Sequence, residues 1–583
     1  MSGPLAGPHA LRLGLISGAW LLLICWLAFF HQLGRLGLMD KTEALFVEVG
    51  HQMLLRGDWI TPWWNGQHFF DYPVWGYWMV ALSFRLFGVS EWAARLPVAL
   101  AASAVVVASF LLVWWLASPQ EPRRRRWLRA ALAAGVMATT PGWIGWGRSS
   151  TTDMFLASAI TLALYAFLLA QNAGAGSVAA RFGEVGMALF AGIAVLAKGP
   201  VGLLLPLLVV GAFLILSDGW RRWLRLRTLL PMGALFLAVV LPWYGAAAHR
   251  HGEAFLGGFL GFSNLQRFTQ VLYDHPGPPW FYLPWILLLL LPWSLFLPAA
   301  AANLRFWKRS RWRQGSSAAV PLFLLLWLSV VVAFFSAAAT KLPGYILPAV
   351  PAASLLIALH WRPLTGPEPT GWLQSVSGWL EALLLALLAA AAALAPRWAA
   401  SDPAHPGLAS ALAESGLPRT LALLLAAMAL ALLLLLLAPR SQGRRWLWLP
   451  GLAGFLAILA LVVAPLAPLL DRERQLPLRL LAREARRQAL GGEPLWVIGT
   501  KRYSLLFYAG EPAAFLGNRG ALDALRAAAG EGPKAAASPA SVRLIGDRSD
   551  LEALRLPGAA ITPLARQGEQ VLWRVSLAAV PAP

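Results

Sequence analysis

The sequence predicts a polytopic α-helical membrane protein that ends in a small α/β domain, and three observations carry that reading. Hydrophobic residues make up 58% of the chain and charged ones only 13%, and the apolar residues gather into blocks of about twenty, the length that crosses a hydrocarbon core. Arginines collect in short loops between alternate blocks, as they do on the cytoplasmic side of membrane proteins. Beyond residue 470 the blocks stop and short β-type runs alternate with Ala-rich stretches.

About thirteen blocks can be counted. They fall near residues 12–31, 80–117 (one long or bent segment), 128–147, 153–171, 184–197, 199–217, 229–247, 281–301, 318–338, 343–361, 372–396, 419–438 and 446–468. The first block lacks a small-residue cleavage site and reads as a retained helix. A cytoplasmic N-terminus places Arg123 to Arg126 with Arg129, then Arg221, Arg222, Arg225 and Arg227, on the inner side. Arg305, Lys308, Arg309, Arg311 and Arg313 follow there, and finally Arg440, Arg444 and Arg445. An odd number of spans then leaves the C-terminus outside. The net charge of +21 is spent in these loops and forms no single basic face, which excludes nucleic acid as a partner. Cys25 is the single cysteine, so neither a disulfide framework nor a Cys-rich metal site is available.

Directly after the first block, Met39 to Trp78 forms a polar and aromatic insert holding Asp40, Glu43, Glu48, Asp58 and Asp71. Asp40 with Glu43 three residues on reads as a capping box that opens a helix, and Gly57 closes it. Leu45, Val49 and Met53 line one side of that helix, with Glu48, His51 and Gln52 on the other, the pattern of an interfacial helix. Asn65-Gly66 marks a tight turn. The run from Trp59 to Trp78 is rich in indole and phenol rings, as expected at headgroup depth.

Carboxylates and cations at a membrane edge are costly and therefore functional candidates. Asp153 opens a span, where an N-cap role competes with a site role, and Asp40 has the same two readings. Asp71, ahead of Tyr72-Pro73, is a cavity carboxylate or a turn residue. The chain has six lysines, and Lys41, Lys198 and Lys341 sit on the outer side, where topology does not call for positive charge. Snorkelling accounts for Lys41 and Lys198 as well as a site does. Lys341, enclosed in Thr340-Lys341-Leu342-Pro343-Gly344-Tyr345, reads as an anion-binding residue. In the second large outer loop, residues 248–280, Arg267 among aromatic residues has the planar donor fork that suits phosphate. His275 in the same loop is a ligand, a base or an interfacial histidine.

Asp471 to Arg487 reads as a charged amphipathic connector. Leu495 to Ile498, Ser504 to Tyr508, Val542 to Ile545 and Val571 to Val575 read as short β-type runs, and Ala521 to Ala529 as helix. The expected organisation is a transmembrane catalytic domain over 1–470, with its first outer loop at 32–79, and an extracytoplasmic α/β domain over 471–583.

Several of these motifs, in this order, resemble the bacterial branch of the protein O-mannosyltransferase superfamily. They are Asp40 with its helix, Phe70-Asp71-Tyr72-Pro73-Val74-Trp75-Gly76-Tyr77-Trp78, Arg95-Leu96-Pro97, Thr152-Asp153, Ala197-Lys198-Gly199, Gln266-Arg267-Phe268, Phe281-Tyr282-Leu283-Pro284 and Lys341-Leu342-Pro343-Gly344-Tyr345. The resemblance runs from about residue 11 to 361 and includes the branch that transfers aminoarabinose to lipid A. It implies a C-type glycosyltransferase (GT-C) fold in a bacterial inner membrane, taking a sugar from a polyprenyl-phosphate (undecaprenyl-phosphate) donor. The acceptor it implies is a lipid, a glycan or a protein on the outer face. By position, Asp40 and Asp153 match catalytic carboxylates, and Arg267 and Tyr345 match positions that hold the carrier phosphate. Lys341 and Tyr72 join that group on chemistry.

Asp71, Glu43, Asn264 and His275 are left as cavity, acceptor or metal-binding candidates. A divalent metal stays open, because this chain has Ser263-Asn264 where the aminoarabinose branch carries a metal-ligating histidine. It also reads Asp40-Lys41 where relatives often read Asp-Glu, and Asp71-Tyr72-Pro73 where that branch reads Glu-Lys-Pro. The residue types suit an inverting single displacement, with donors on the departing phosphate and a carboxylate taking the acceptor proton. A flippase of lipid-linked sugars would put its charges near mid-bilayer, and an oligosaccharide polymerase or ligase would differ in acceptor.

Overall fold

The computed structural model describes residues 8–118, 120–259, 269–271, 275–313, 316–361, 372–399, 407–439, 443–530 and 540–580. It is a multi-span helical bundle joined to one five-stranded sheet. Among the described residues ten helices are long and apolar enough to cross a membrane, and the pair Tyr282–Leu289 and Ser294–Ala302, bent by 115°, makes eleven. Each of the thirteen apolar blocks is helical. The two that fall short do so for local reasons: Val201–Ser217 is apolar but shorter, and the block at 128–147 breaks into α5 (Arg123–Ala138) and α6 (Pro141–Gly147). There Thr139 turns its hydroxyl back to the Gly135 carbonyl at 2.7 Å, and Pro141 has no N–H with which to continue the helix.

The block at 80–117 is two helices. α3 (Trp75–Phe87) stops at Gly88, whose φ of 78° suits glycine. α4 (Glu91–Leu116) starts afresh under Ser90, whose side chain accepts from the Ala93 N–H at 3.2 Å. α7 (Thr152–Asn172) and α8 (Val178–Lys198) pack side by side as the centre of the bundle.

α2 (Thr42–Arg56) follows α1 (Pro8–Cys25), and Gly57 closes it in the left-handed region as expected. The capping box is only half present. Glu43 reaches back to the Met39 N–H at 2.9 Å, but Lys41 holds the N-cap position and the Asp40 carboxylate points elsewhere. Asn65-Gly66 turns a hairpin of β1 (Trp63–Trp64) and β2 (Gln67–His68). Several of the aromatic rings around it are packed against the bundle. Phe69, Phe70, Tyr72 and Trp78 pack with buried Tyr77, Trp243 and Phe255, because the helical stretch Leu226–Leu256, kinked at Gly252, supplies an apolar partner.

The last span runs without a break from Arg444 to Arg487, so the expected connector is the helical stalk of the sheet domain. Its apolar side, Leu478, Leu481, Ala482 and Ala485, is buried in that domain. The sheet order is β4-β3-β5-β7-β6, from β3 (Leu495–Ile498), β4 (Ala513–Leu516), β5 (Ser541–Asp547), β6 (Ile561–Gln567) and β7 (Gln570–Ser576). β3 is parallel to β4 and β5, and β7 is antiparallel to β5 and β6. The Ser504 to Tyr508 run, expected as strand, is a helix, Ser504–Ala509, buried throughout and closed by Gly510. A short, largely apolar run does not distinguish a buried strand from a buried helical turn.

Candidate active site

Two charged centres lie at one end of the bundle, and the strap that holds the first is tied to the sheet domain. The first is built on Arg95, which enters the sequence motifs only in Arg95-Leu96-Pro97 and without a site role. α4 carries its guanidinium into the interior, 2% exposed. It donates to both oxygens of Glu43, each at 2.7 Å, and to the carbonyls of Leu33, Leu36 and Gly37 at 3.1, 2.5 and 2.9 Å. Glu43 also accepts from the Ser150 N–H at 3.0 Å. The strap from Leu33 to Glu43 is thereby fixed to α4 and to the segment that leads into α7. Glu43 is a structural anchor here, with both oxygens occupied.

The second centre is more open. Asp153, in the first turn of α7, forms an ion pair with Lys198, the last residue of α8. Thr151 holds the N-cap position, so the N-cap reading of Asp153 does not hold. The Lys198 ammonium stands 4.8 Å from the ring centroid of Tyr345 and 5.7 Å from that of Tyr72, and these faces attract a cation. Gly344 lies so close to Asp153 and Trp146 that a Cβ there would sit 3.2 Å from the carboxylate and 3.0 Å from the indole. Four segments distant in sequence thus converge: the loop after β2, the start of α7, the end of α8 and the 3₁₀ stretch Pro343–Ala349.

The structure brings together Tyr72, Asp153 and Tyr345, three of the expected site residues. At their centre is Lys198, which the sequence reading left as an even choice with snorkelling. Its signal was legible in the scarcity of lysine and in Ala197-Lys198-Gly199. Lys341 is placed otherwise: its ammonium caps the Ala338 carbonyl and its N–H donates to the His275 carbonyl at 3.1 Å. His275 is exposed. Asp71 lies in the Tyr72 loop, near enough to buried Tyr77 to act on its hydroxyl. Arg267 and Asn264 lie outside the described residues. Among the described residues no three His, Cys, Asp or Glu side chains are grouped to hold a metal ion.

Asp40 faces the sheet domain. Its carboxylate accepts from the Ser504 N–H at 2.6 Å and from the Ser504 hydroxyl at 3.0 Å. Burial pushes its carboxyl above the usual range, and the Ser504 bonds and the Arg502 charge pull against that shift. Further ties run in parallel. The Gly37 N–H donates to Asp471 at 2.6 Å and the Leu38 N–H to the Tyr508 hydroxyl at 2.9 Å. Asn65 exchanges two 2.9 Å bonds with Ala513, covering the edge of β4, and Trp64 stacks on Phe515. The polar side of α2, expected to face water, is covered too: Glu48 is buried and bonds Gln52 at 2.7 Å, and the His51 ring meets Phe507.

A family model described as dolichyl-phosphate-mannose-protein mannosyltransferase matches residues 71–245, the stretch that holds Asp71, Tyr72, Asp153 and Lys198. The undecaprenyl phosphate-α-4-amino-4-deoxy-L-arabinose arabinosyl transferase of Enterobacter sp. (strain 638) is 30% identical over 416 residues, 70% of this chain and 69% of that one. The chain belongs to this arabinosyl transferase family. The family member of Pseudomonas aeruginosa (strain UCBPP-PA14) is 32% identical over 345 residues, 58% of each chain. The chain therefore spans less than two thirds of the length of the Pseudomonas relatives it matches. The fold agrees with that membership. ArnT from Cupriavidus metallidurans, solved with undecaprenyl phosphate bound, aligns over 98% of this chain and 100% of its own with a TM-score of 0.74 at 23% identity. The archaeal oligosaccharyltransferase AglB from Archaeoglobus fulgidus aligns over 94% and 70% with a TM-score of 0.50 at 14% identity. The architecture is the GT-C fold with a small sheet domain at its C-terminal end.

Proposed function

We propose that the chain is a glycosyltransferase that moves a sugar from a polyprenyl-phosphate donor to an acceptor at the outer face of a bacterial inner membrane. The observation that carries this reading is the Asp153–Lys198 pair held between the rings of Tyr72 and Tyr345. Family membership supports an undecaprenyl-phosphate-linked aminoarabinose donor and a lipid A-like acceptor. The N-terminus is cytoplasmic in this reading, and the sheet domain, residues 471–583, is extracytoplasmic above the transmembrane part, residues 1–470.

The chemistry is one displacement. The acceptor oxygen bonds to the anomeric carbon as the bond from that carbon to the phosphate oxygen breaks, with inversion, and the acceptor proton passes to a carboxylate. Lys198 exchanges part of its pairing with Asp153 for the departing phosphate. Tyr345 and Tyr72 flank the same charge, and Arg267 and Lys341 are assigned to the carrier phosphate by motif and charge. Fixed donors at a leaving anion contribute most where water is excluded. Asp40 and Asp153 are the carboxylates assigned to the acceptor, and a positioned base contributes about 10² to 10⁴ in rate. A flippase is less well supported, since the charged centres gather at one end of the bundle instead of lining a path through it.

The test is sugar transfer by the protein in nanodiscs loaded with undecaprenyl-phosphate aminoarabinose and lipid A. Turnover that is lost in Lys198→Ala and Asp153→Asn, while both variants stay folded, supports the reading. Movement of the lipid-linked sugar across the bilayer without transfer would overturn it.

A further inference from the structure

The sheet domain has a topology with a chemical consequence. β3 and β4 lie side by side and parallel, with Ile498 opposite Leu516 at their carboxyl ends. The chain leaving β3 passes to the Ser504–Ala509 helix, which packs with Leu495 and Val497 on one face of the sheet. The chain leaving β4 passes to the Asn518–Gly530 helix, which packs with Ile498 and Leu544 on the opposite face. Two neighbouring parallel strands whose connections depart to opposite faces leave a crevice at their carboxyl edge, where open α/β sheets bind ligands.

A crevice of about 530 Å³ is found at that point, lined by Gly499, Thr500, Gly517, Asn518, Arg519, Gly520 and Asp550. Its floor requires glycine. Gly499 has a φ of +82°, and a Cβ there would lie 2.2 Å from the Asp550 carboxylate, so the backbone gives way to a carboxylate held against it. Asn518 fixes that carboxylate with a 3.1 Å bond from its amide nitrogen. The Asn518 amide oxygen is buried with no hydrogen-bond partner among the described residues. Arg519 is exposed at the rim, with no ion pair among the described residues. Nothing in the transfer reading uses these groups, and their ties run within the sheet domain.

We propose that this crevice binds a phosphorylated sugar. The Asp550 carboxylate and the Thr500 hydroxyl accept from ring hydroxyls or an amino group, and hydroxyl-rich ligands are the class that needs acceptors close together. The Arg519 guanidinium supplies the planar donors that a phosphate takes up. A carboxylate beside the arginine disfavours a bare anion and favours a ligand with hydroxyls and one phosphate.

The full-length protein in phosphatidylcholine nanodiscs is titrated with glucosamine 1-phosphate, glucosamine and inorganic phosphate, and binding is read by microscale thermophoresis without any donor present. The expected result is that the sugar phosphate binds most tightly and that Arg519→Gln weakens it about tenfold or more. Asp550→Asn is expected to reduce glucosamine 1-phosphate and glucosamine binding. Equal binding of inorganic phosphate, or no change in either variant, overturns the proposal. Arg519 is exposed and its replacement leaves the fold intact, so the result does not depend on whether Asp550→Asn folds. Because no transfer is measured, failure here leaves the transferase reading untouched, and failure of transfer leaves this one untouched.

Discussion

Arg95–Glu43 is a buried ion pair and Asp153–Lys198 a part-buried one at the same end of the bundle, and they serve opposite purposes. The side chains of Arg95 and Glu43 are 2% and 1% exposed, with the guanidinium spread over a carboxylate and three carbonyls. The side chains of Lys198 and Asp153 are 11% and 18% exposed, and the ammonium is otherwise flanked by aromatic faces. A saturated pair has nothing left to give a ligand and serves as an anchor. A pair with one partner and two soft ring faces can exchange that partner for a substrate anion. Burial alone does not mark a functional charge; incomplete saturation does.

That contrast breaks most severely at the anchor. Arg95→Met leaves the Glu43 charge buried without its partner, and such a loss typically costs about 3 to 5 kcal/mol. The expected outcome is a large fall in folded yield and in thermal midpoint in detergent, partly restored by adding Glu43→Gln. Lys198→Ala, by contrast, is expected to keep a thermal midpoint close to that of the parent while transfer falls roughly 10²- to 10³-fold, the cost of removing one fixed charge-stabilising donor. Similar losses of stability in the two variants would erase the distinction between anchor and site. Tyr345→Phe sharpens it. The ring over Lys198 stays and the hydroxyl goes, so donor affinity is expected to fall about tenfold, near 1.4 kcal/mol, with folding unchanged.

The membrane blocks were legible because length and apolar composition are local properties, and so were the Gly57 stop and the Asn65-Gly66 turn. The site was legible only as separate residues. Tyr72, Asp153 and Tyr345 stood out by residue type and motif, but their convergence on Lys198 depends on helix packing that no local pattern encodes. Arg95 stood in a motif but had no role assigned to it, for the converse reason. A lone arginine in an apolar helix reads as surface or snorkelling unless its carboxylate, 52 positions away, is known to face it. The Ser504–Ala509 helix read as strand for want of any period, and β4 and β6 were passed over because half of Ala513–Leu516 is alanine and β6 is part-exposed or exposed throughout. Asp40 turns not to its own helix but to a serine 464 residues away.

The smallest expected effect tests whether that neighbour matters to chemistry. Ser504 donates its N–H and its hydroxyl to the ionised carboxylate of Asp40, which lowers a carboxyl that burial otherwise raises. In the proposed mechanism the ionised form takes the acceptor proton, so activity disappears as pH falls through a value above the ordinary carboxylate range. Ser504→Ala removes one of the two bonds to the charged form, which moves the acidic limb of kcat/KM to higher pH. Ser504→Thr keeps the hydroxyl and is expected to restore the limb. The stability effect has the matching sign: a carboxyl raised in the folded state favours folding when protonated, so the variant loses more stability near neutrality than in acid. If Ser504 only held the sheet domain in place, the alanine variant would lower the plateau several-fold and leave the limb where it was. A shifted limb with an intact plateau assigns the sheet domain a share in setting the basicity of Asp40.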